Sequence, residues 1–421
     1  MKRLKMKNRL ASPWLGLAVI ALTTICIYSN IYRCPLIFDD LPRIKENVKI
    51  RNLSNLLSVS QILKPRAIVD LTFALNYSWG KLNVFGFHLT NVLIHILNGF
   101  FVYILGTIMF EHLSGLARAP NSSLKFVPLF AALVFVTHPI QTQVVTYTVQ
   151  RYASMAALFY LASVLFYIKA RIIQKCAEQK GQREEEFDQG SKLKAQSSEV
   201  RGQRSEDRGQ RIEDSGQRIE FKVQRLKGNW FSAISYQLSA LYFLSILCGL
   251  LSFLSKQNTA SLPGVILLVE YLLIDRTWQG WKKKLLWFTP AFVLWVLFIA
   301  YVSGLFSGGG WEEGLLEDVS ERMMETESVD RWNYLYTQFN VLVVYIRLLC
   351  LPINQNLDYM YPFNAGFFDG YTPLAFLLMM CISVISIWMI KRSQIVSLAI
   401  LWFFITLSVE SSIIPIRDAL F

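Results

Sequence analysis

Two adjacent carboxylates, Asp39 and Asp40, follow Phe38 and lie between Pro35 and Pro42. Such a pair can act as general base toward a hydroxyl acceptor, or can hold a divalent cation, Mg or Mn. The same residues can equally cap a helix that follows Pro42. Three cations stand far apart in the chain: Arg66 in Lys64-Pro65-Arg66, Arg151 in Gln150-Arg151-Tyr152, and Lys256 in Ser255-Lys256-Gln257-Asn258. Three such groups could embrace one lipid-linked phosphate or diphosphate, each Arg by forked hydrogen bonds and the Lys as a point charge. Singly, each could instead snorkel to lipid headgroups. The stretch Pro352–Pro362, with Asn356, Asp358 and Tyr359, is amide- and tyrosine-rich. That composition suits hydroxyl-bearing ligands such as sugars, and it also makes ordinary turns.

His138, before Pro139, sits at a hairpin tip with Gln141 and Gln143 nearby, which is a weak metal signal; no metal ligand set can be named. His88 and His95 fall seven apart on one helix face and read as interhelical hydrogen-bonding groups. The chain has no HExxH, no GxxxxGK[ST], no GxSxG and no GxGxxG at a strand-helix turn. Zinc proteolysis, ATP hydrolysis and dinucleotide chemistry are therefore unsupported.

The elements that must position these groups are membrane spans. Of the 421 residues, 53% are hydrophobic and only 17% charged, where soluble domains run near ~25% charged. The apolar residues gather into runs of about twenty, enough to cross ~30 Å of hydrocarbon as a helix. The expected fold is an all-α polytopic membrane protein, a bundle of about ten transmembrane or re-entrant helices with a long first extracytoplasmic loop. Expected spans are 14–32, 87–110, 126–137, 144–170, 233–254, 259–274, 285–305, 334–351, 373–390 and 395–409. The first reads as an uncleaved signal anchor. The net charge of +12 fits cytoplasmic anchoring rather than nucleic acid.

Sidedness follows from the basic loops: the N-terminus, the segment 171–227 with 14 Lys and Arg, and Arg276 with Lys282, Lys283 and Lys284 share one parity and face the cytoplasm. The loop 33–86, the hairpin tip at His138, the turn at Lys256 and the acidic loop 307–333 then face outward. Lys391 and Arg392 break this parity unless 334–351 is re-entrant. Three regions follow: 1–170 with helices one to four; 171–232, a disordered cytoplasmic insert with heptapeptide repeats such as Arg201-Gly202-Gln203-Arg204; and 233–421, a C-terminal helical part expected to be truncated. The six cysteines offer no disulfide framework and no CxxC metal pair.

Taken in order, Phe38-Asp39-Asp40, Pro65-Arg66, Asn76-Tyr77, Gly86-Phe87-His88-Leu89-Thr90-Asn91, His95, Thr137-His138-Pro139, Gln150-Arg151, Leu254-Ser255-Lys256, Pro352–Pro362 and Glu410–Arg417 resemble a known membrane domain. It is that of bacterial tetratricopeptide-repeat proteins related to O-mannosyltransferases, within the class C (GT-C) glycosyltransferase superfamily, and the likeness spans most of the chain. The resemblance implies a transferase that moves a sugar, with mannose the leading candidate, from a polyprenyl-phosphate donor to a protein or glycan hydroxyl. It places the protein in the bacterial inner membrane, multi-pass, with its N-terminus in the cytoplasm. It implies a catalytic aspartate at Asp39 or Asp40, donor-phosphate contacts from Arg66, Arg151 and Lys256, and a substrate cavity near His88, His138, Gln150, Asn356, Asp358 and Tyr359. Gln141 and Gln143 stand where relatives carry His and Glu, which weakens a metal site. The chain ends at Phe421, where relatives continue into further spans and helical repeats. A lipid-linked saccharide flippase and an inactive, shortened scaffold remain the alternatives.

Overall fold

The structure, a computed structural model, describes residues 13–113, 125–199, 234–275, 281–282, 285, 289–290, 292–297, 331–356, 359, 362, 364 and 366–411. Its principal elements are α1 (Pro13–Ile27), α2 (Ala67–Gly80), α3 (Val84–Leu113), α4 (Val127–Thr137), α5 (Gln141–Thr146) and α6 (Arg151–Glu199). They continue with α7 (Ile234–Ser255), α8 (Leu262–Val269), α9 (Arg331–Cys350), α10 (Thr372–Met389) and α11 (Gln394–Leu407). No strand occurs among the described residues. Five stretches, Val84–Glu111, Thr148–Arg183, Ile234–Ser255, Gln257–Ile274 and Thr372–Met389, are long and apolar enough to cross a membrane, and α1, α4 and α11 are shorter apolar helices. The protein is an all-α polytopic membrane protein.

Several boundaries differ from the sequence expectation. The fourth span does not run unbroken from 144: the chain breaks at the extended residue Tyr147 (φ −83°, ψ 109°), between α5 and the 3-10 turn Thr148–Gln150. The helix that follows does not stop at Ala170 but continues to Glu199, into the segment expected to be a disordered insert. The repeats from Arg201 and most of the expected span 285–305 lie outside the described residues. The segment for which a re-entrant path is one of two alternatives, α9, is one continuous helix of 20 residues, and it is not among the stretches long and apolar enough to cross a membrane.

Two compact units are formed, Ser163–Leu247 and the rest of the chain. In the smaller one, α6 and α7 exchange reciprocal bonds, Ser163 Oγ to the Ser245 carbonyl (2.7 Å) and Ser245 Oγ to the Ser163 carbonyl (2.9 Å). Small hydroxyl residues of this kind let two apolar helices approach closely and bind through otherwise unpaired groups. In the larger unit, α1, α3 and α4 meet at a cluster of Ile20, Ala132 and Val136, all fully buried. The approach is close because Gly99 of α3 has no side chain: a Cβ there would come within 2.6 Å of Val136 Cγ1 and 3.0 Å of Ile20 Cγ2.

A second core cluster underlies the loop between α1 and α3. Ile44, Ile50, Val69, Phe73, Phe87, Tyr147, Val149 and Tyr152 are buried together. The loop is thus no free tether; short helical turns at Leu41–Lys45 and Val48–Arg51 press Ile44 and Ile50 against α2 and the start of α6.

Candidate active site

Phe38 begins the candidate site with a left-handed backbone (φ 47°), a conformation that costs an L-residue with a bulky side chain about 1–2 kcal/mol. The kink turns the chain so that the Asp40 N–H reaches the Ile37 carbonyl (2.9 Å) and the Leu41 N–H reaches that of Phe38 (3.0 Å). The two acids then part company. Asp40 is 1% exposed; its Oδ1 accepts the Val149 N–H at 2.7 Å and its Oδ2 the Ile37 N–H at 3.3 Å. Asp39 is exposed, and its N–H donates to the Tyr147 hydroxyl at 2.9 Å.

Asp40 does stand before the short helical turn Leu41–Lys45, as the capping reading expects, but its side chain does not cap it. It closes the start of α6 instead, supplying an acceptor for a buried amide that would otherwise be unpaired. Burial raises the Asp40 pKa above the ordinary carboxylate range, against the lowering influence of amides from Ile37, Val149 and Thr148 and of the nearby His88. The Tyr147 phenol, 7% exposed, is pushed up to about 12, first by burial and then by the charges of Asp39 and Asp40. A divalent cation shared by the Asp pair does not fit this arrangement, because one carboxylate faces out and the other is spent on backbone amides. Among the described residues no group of three His, Cys, Asp or Glu side chains could hold a metal ion.

Arg151, expected to face a phosphate, is fully buried. Its Nε donates to Asn91 Oδ1 (2.7 Å), Nη1 to Asn76 Oδ1 (2.7 Å) and Thr72 Oγ1 (3.1 Å), and Nη2 to the Phe87 carbonyl (2.8 Å). Its guanidinium carbon lies 4.4 Å from the centre of the Phe73 ring. The donors of this planar fork are directed into the protein, so the side chain ties α2 and α3 to the first residue of α6. That is a correction to the phosphate role: the group has the right chemistry and no open face.

Arg66 is partly buried at the left-handed residue (φ 68°) that opens α2, with its guanidinium 5.3 Å from the Tyr152 ring centre. Beside it the Tyr152 hydroxyl donates to Asp70 Oδ1. Burial raises the Asp70 pKa, while the Tyr152 bond and the charges of Arg43, Arg66 and Lys49 oppose the rise. Lys256 forms a different constellation: its Nζ is 3.3 Å from Glu410 Oε1, with both side chains about one-third exposed (33% and 29%). Asn258 Nδ2 donates to the same oxygen at 2.8 Å, and the Tyr334 hydroxyl donates to the Glu410 carbonyl at 2.9 Å. Next to it Asn258, Tyr160, Trp402 and three alanines of α6 (Ala153, Ala156, Ala157) line a cavity of about 280 Å³.

The remaining candidates divide. His88 is fully buried; its Nε2 meets the Cys34 carbonyl at 3.0 Å, so that nitrogen carries the proton, and Nδ1 has no partner. His95 bonds the Val136 carbonyl (3.2 Å). Both are packing groups between elements, as their shared face suggests, and His88 does not reach a substrate space. His138 Nδ1 accepts the Ile140 N–H (3.2 Å), leaving Nε2 to donate to the Leu349 carbonyl (3.1 Å). That bond brings the hairpin tip to the last turn of α9; in the stretch beyond it the Tyr359 hydroxyl accepts the Asn356 N–H (2.9 Å) and donates to the Asn354 carbonyl (3.1 Å). Gln150 is partly buried in the 3-10 turn before Arg151. Asp358 lies outside the described residues.

Sequence reading passed over Tyr147, and over Asp70 with its partner Tyr152. It used Asn76 and Asn91 only as landmarks; the surest clue to their role was the isolated Arg151 itself, which inside apolar surroundings needs several neutral acceptors.

The fold and site thus define a helical membrane protein with an exposed aspartate on a clamped loop that precedes a buried arginine junction. Comparison with known proteins narrows this. No family model and no solved structure matches the chain. Among curated proteins it is similar to protein O-mannosyl-transferase Tmtc3 of Drosophila melanogaster, 30% identical over 172 residues, covering 36% of this chain and 19% of that protein. It is also similar to human protein O-mannosyl-transferase TMTC4 (29% over 177 residues; 37% and 23%) and human TMTC2 (35% over 104 residues; 25% and 11%). The likeness is partial and is to proteins named protein O-mannosyl-transferases, in keeping with the resemblance its ordered motifs suggest. It spans about a fifth of the length of the first of these relatives, and each match covers well under half of the chain, less than the likeness over most of its length that the motifs suggest.

Proposed function

We propose that the protein transfers mannose from a polyprenyl-phosphate mannose to a Ser or Thr hydroxyl of a protein, at the non-cytoplasmic face of a membrane, with Asp39 as general base. The observation that carries this reading is the exposed Asp39 carboxylate on a turn held from behind by Asp40 and Tyr147. The relatives' names, protein O-mannosyl-transferases, support the sugar and the acceptor class. Asp39 takes the acceptor proton as the hydroxyl oxygen bonds to the anomeric carbon. The bond from that carbon to the phosphate oxygen breaks, inverting the centre, and the lipid phosphate leaves as an anion.

Stabilising the leaving charge falls to cations with an open side, Arg66 and Lys256; in surroundings poorer in water than bulk such contacts act strongly. Arg151 holds the scaffold instead. The cavity beside Lys256, walled mostly by apolar side chains, supports accommodation of part of the donor's lipid. The loop 33–86, the His138 tip and the Lys256 turn share the outer side in this reading, with the N-terminus and the segment after 170 in the cytoplasm. The relatives named above are animal proteins, so they lend no support to a bacterial inner membrane. D39N tests the proposal: transfer of labelled mannose from polyprenyl-phosphate mannose to a Ser/Thr peptide should fall at least about a hundredfold. A wild-type rate in D39N would end it.

A further inference from the structure

Tyr147 is the extended residue where α5 gives way to the turn before α6, so its side chain leaves the helical stack at the break. Main-chain bonds fix the break on both sides: the Tyr147 N–H donates to the Gln143 carbonyl (3.1 Å), and the Tyr147 carbonyl accepts the Gln150 N–H (3.1 Å). The ring is held among Ile44, Ile50, Val149 and Tyr152. Its oxygen therefore has a fixed position, and it accepts the Asp39 N–H across 108 residues of chain. Two residues on, Val149 holds the Asp40 carboxylate. The two acids are thus pinned in register by alternate residues of one short segment, Tyr147 by a side chain and Val149 by an amide.

We propose that Tyr147 is a positioning residue that sets the aim of Asp39: the phenol oxygen accepts a hydrogen bond from the Asp39 main-chain N–H, and the phenol's own O–H is directed to the Asp39 carboxylate. The inference rests on Asp39 acting as base. An exposed Asp samples several rotamers, and a base must meet the acceptor proton within hydrogen-bond reach. Restricting the carboxylate to one arc raises the fraction of encounters that are productive without adding a contact to either substrate.

The test uses the full chain in detergent with polyprenyl-phosphate mannose and a Ser/Thr peptide, comparing wild type, D39N, Y147F and the double variant per folded molecule. Phe keeps the ring, and the exposed Asp39 N–H can turn to water, so the fold should survive. Y147F is expected to lower kcat about tenfold with both KM values and the unfolding temperature unchanged, and to cause no further loss in the D39N background. Wild-type kcat in Y147F, or the same proportional loss in both backgrounds, overturns the positioning role while leaving the base reading intact. Should Y147F lower activity only in proportion to its loss of folded protein, the tyrosine acts through the core alone, and the inference falls on that result. Full activity in D39N removes both.

Discussion

Arg151 and Lys256 carry the same charge at comparable places, each at an end of an apolar helix, yet the protein treats them in opposite ways. Arg151 is sealed, with four bonds to neutral oxygens on two separate helices, α2 and α3. Lys256 keeps a third of its side chain in solvent and leans on one carboxylate. Sealing a charge makes sense only where its removal would strand many partners; leaving it open makes sense where its partner must change. The first cation is bound up with folding and the second is available for function.

Substitution at Arg151 should give the largest effect and would break the contrast if it did not. R151A strands Asn76, Asn91 and the Phe87 carbonyl in the interior, a loss on the order of 4 kcal/mol, measurable as a large fall in unfolding temperature or failure to purify as a folded species. R151K keeps the charge but cannot supply a planar fork, and should recover only part of that loss. D40A comes next: the buried Val149 N–H loses its acceptor, costing about 1–3 kcal/mol in chemical unfolding.

D40N sharpens the point through pH. Because burial holds the Asp40 pKa above its unfolded value, the native state binds the proton more tightly. Its contribution to stability is full below the unfolded carboxylate range and is lost as pH rises through the folded pKa. Wild type should therefore lose stability relative to D40N over that rise, whereas parallel curves would mean Asp40 is not sensed as buried. Smallest of all should be K256A and E410Q, each changing stability by no more than about 1 kcal/mol, since solvent screens a pair exposed to this degree. That small change should shrink further in high salt. A loss as large as that in R151A would erase the distinction between the two sites.

Much of the architecture could be read from the sequence because apolar length is a local property. The spans at 87–110, 233–254 and 373–390 needed nothing but consecutive residues to be seen. The exposed acid and the buried acid were not separable in this way. Asp39 and Asp40 are neighbours with the same chemistry, and what divides them is a left-handed Phe38 and a receiving amide 109 residues later. Arg151 was misread for the same reason: its acceptors lie 60 to 79 residues away, so sequence showed a cation with no visible partner. The histidines at 88 and 95 do hydrogen-bond between elements, as their seven-residue spacing suggests, but the substrate contact implied for His88 is not seen at its buried position. Most of the candidate site lay in residues quoted from the start, but Tyr147 and Asp70 did not, and the division of all of them into working and supporting members depends on contacts between distant segments.

The notch at Gly99 governs the order in which the molecule can be put together. Ile20 and Val136 close on it from α1 and α4, so α1 has no completed seat until α4 has been made. At ~5–20 residues per second the intervening stretch of roughly a hundred residues takes on the order of ten seconds. During that interval α1 lacks its contact with α4, although its own sequence is already made.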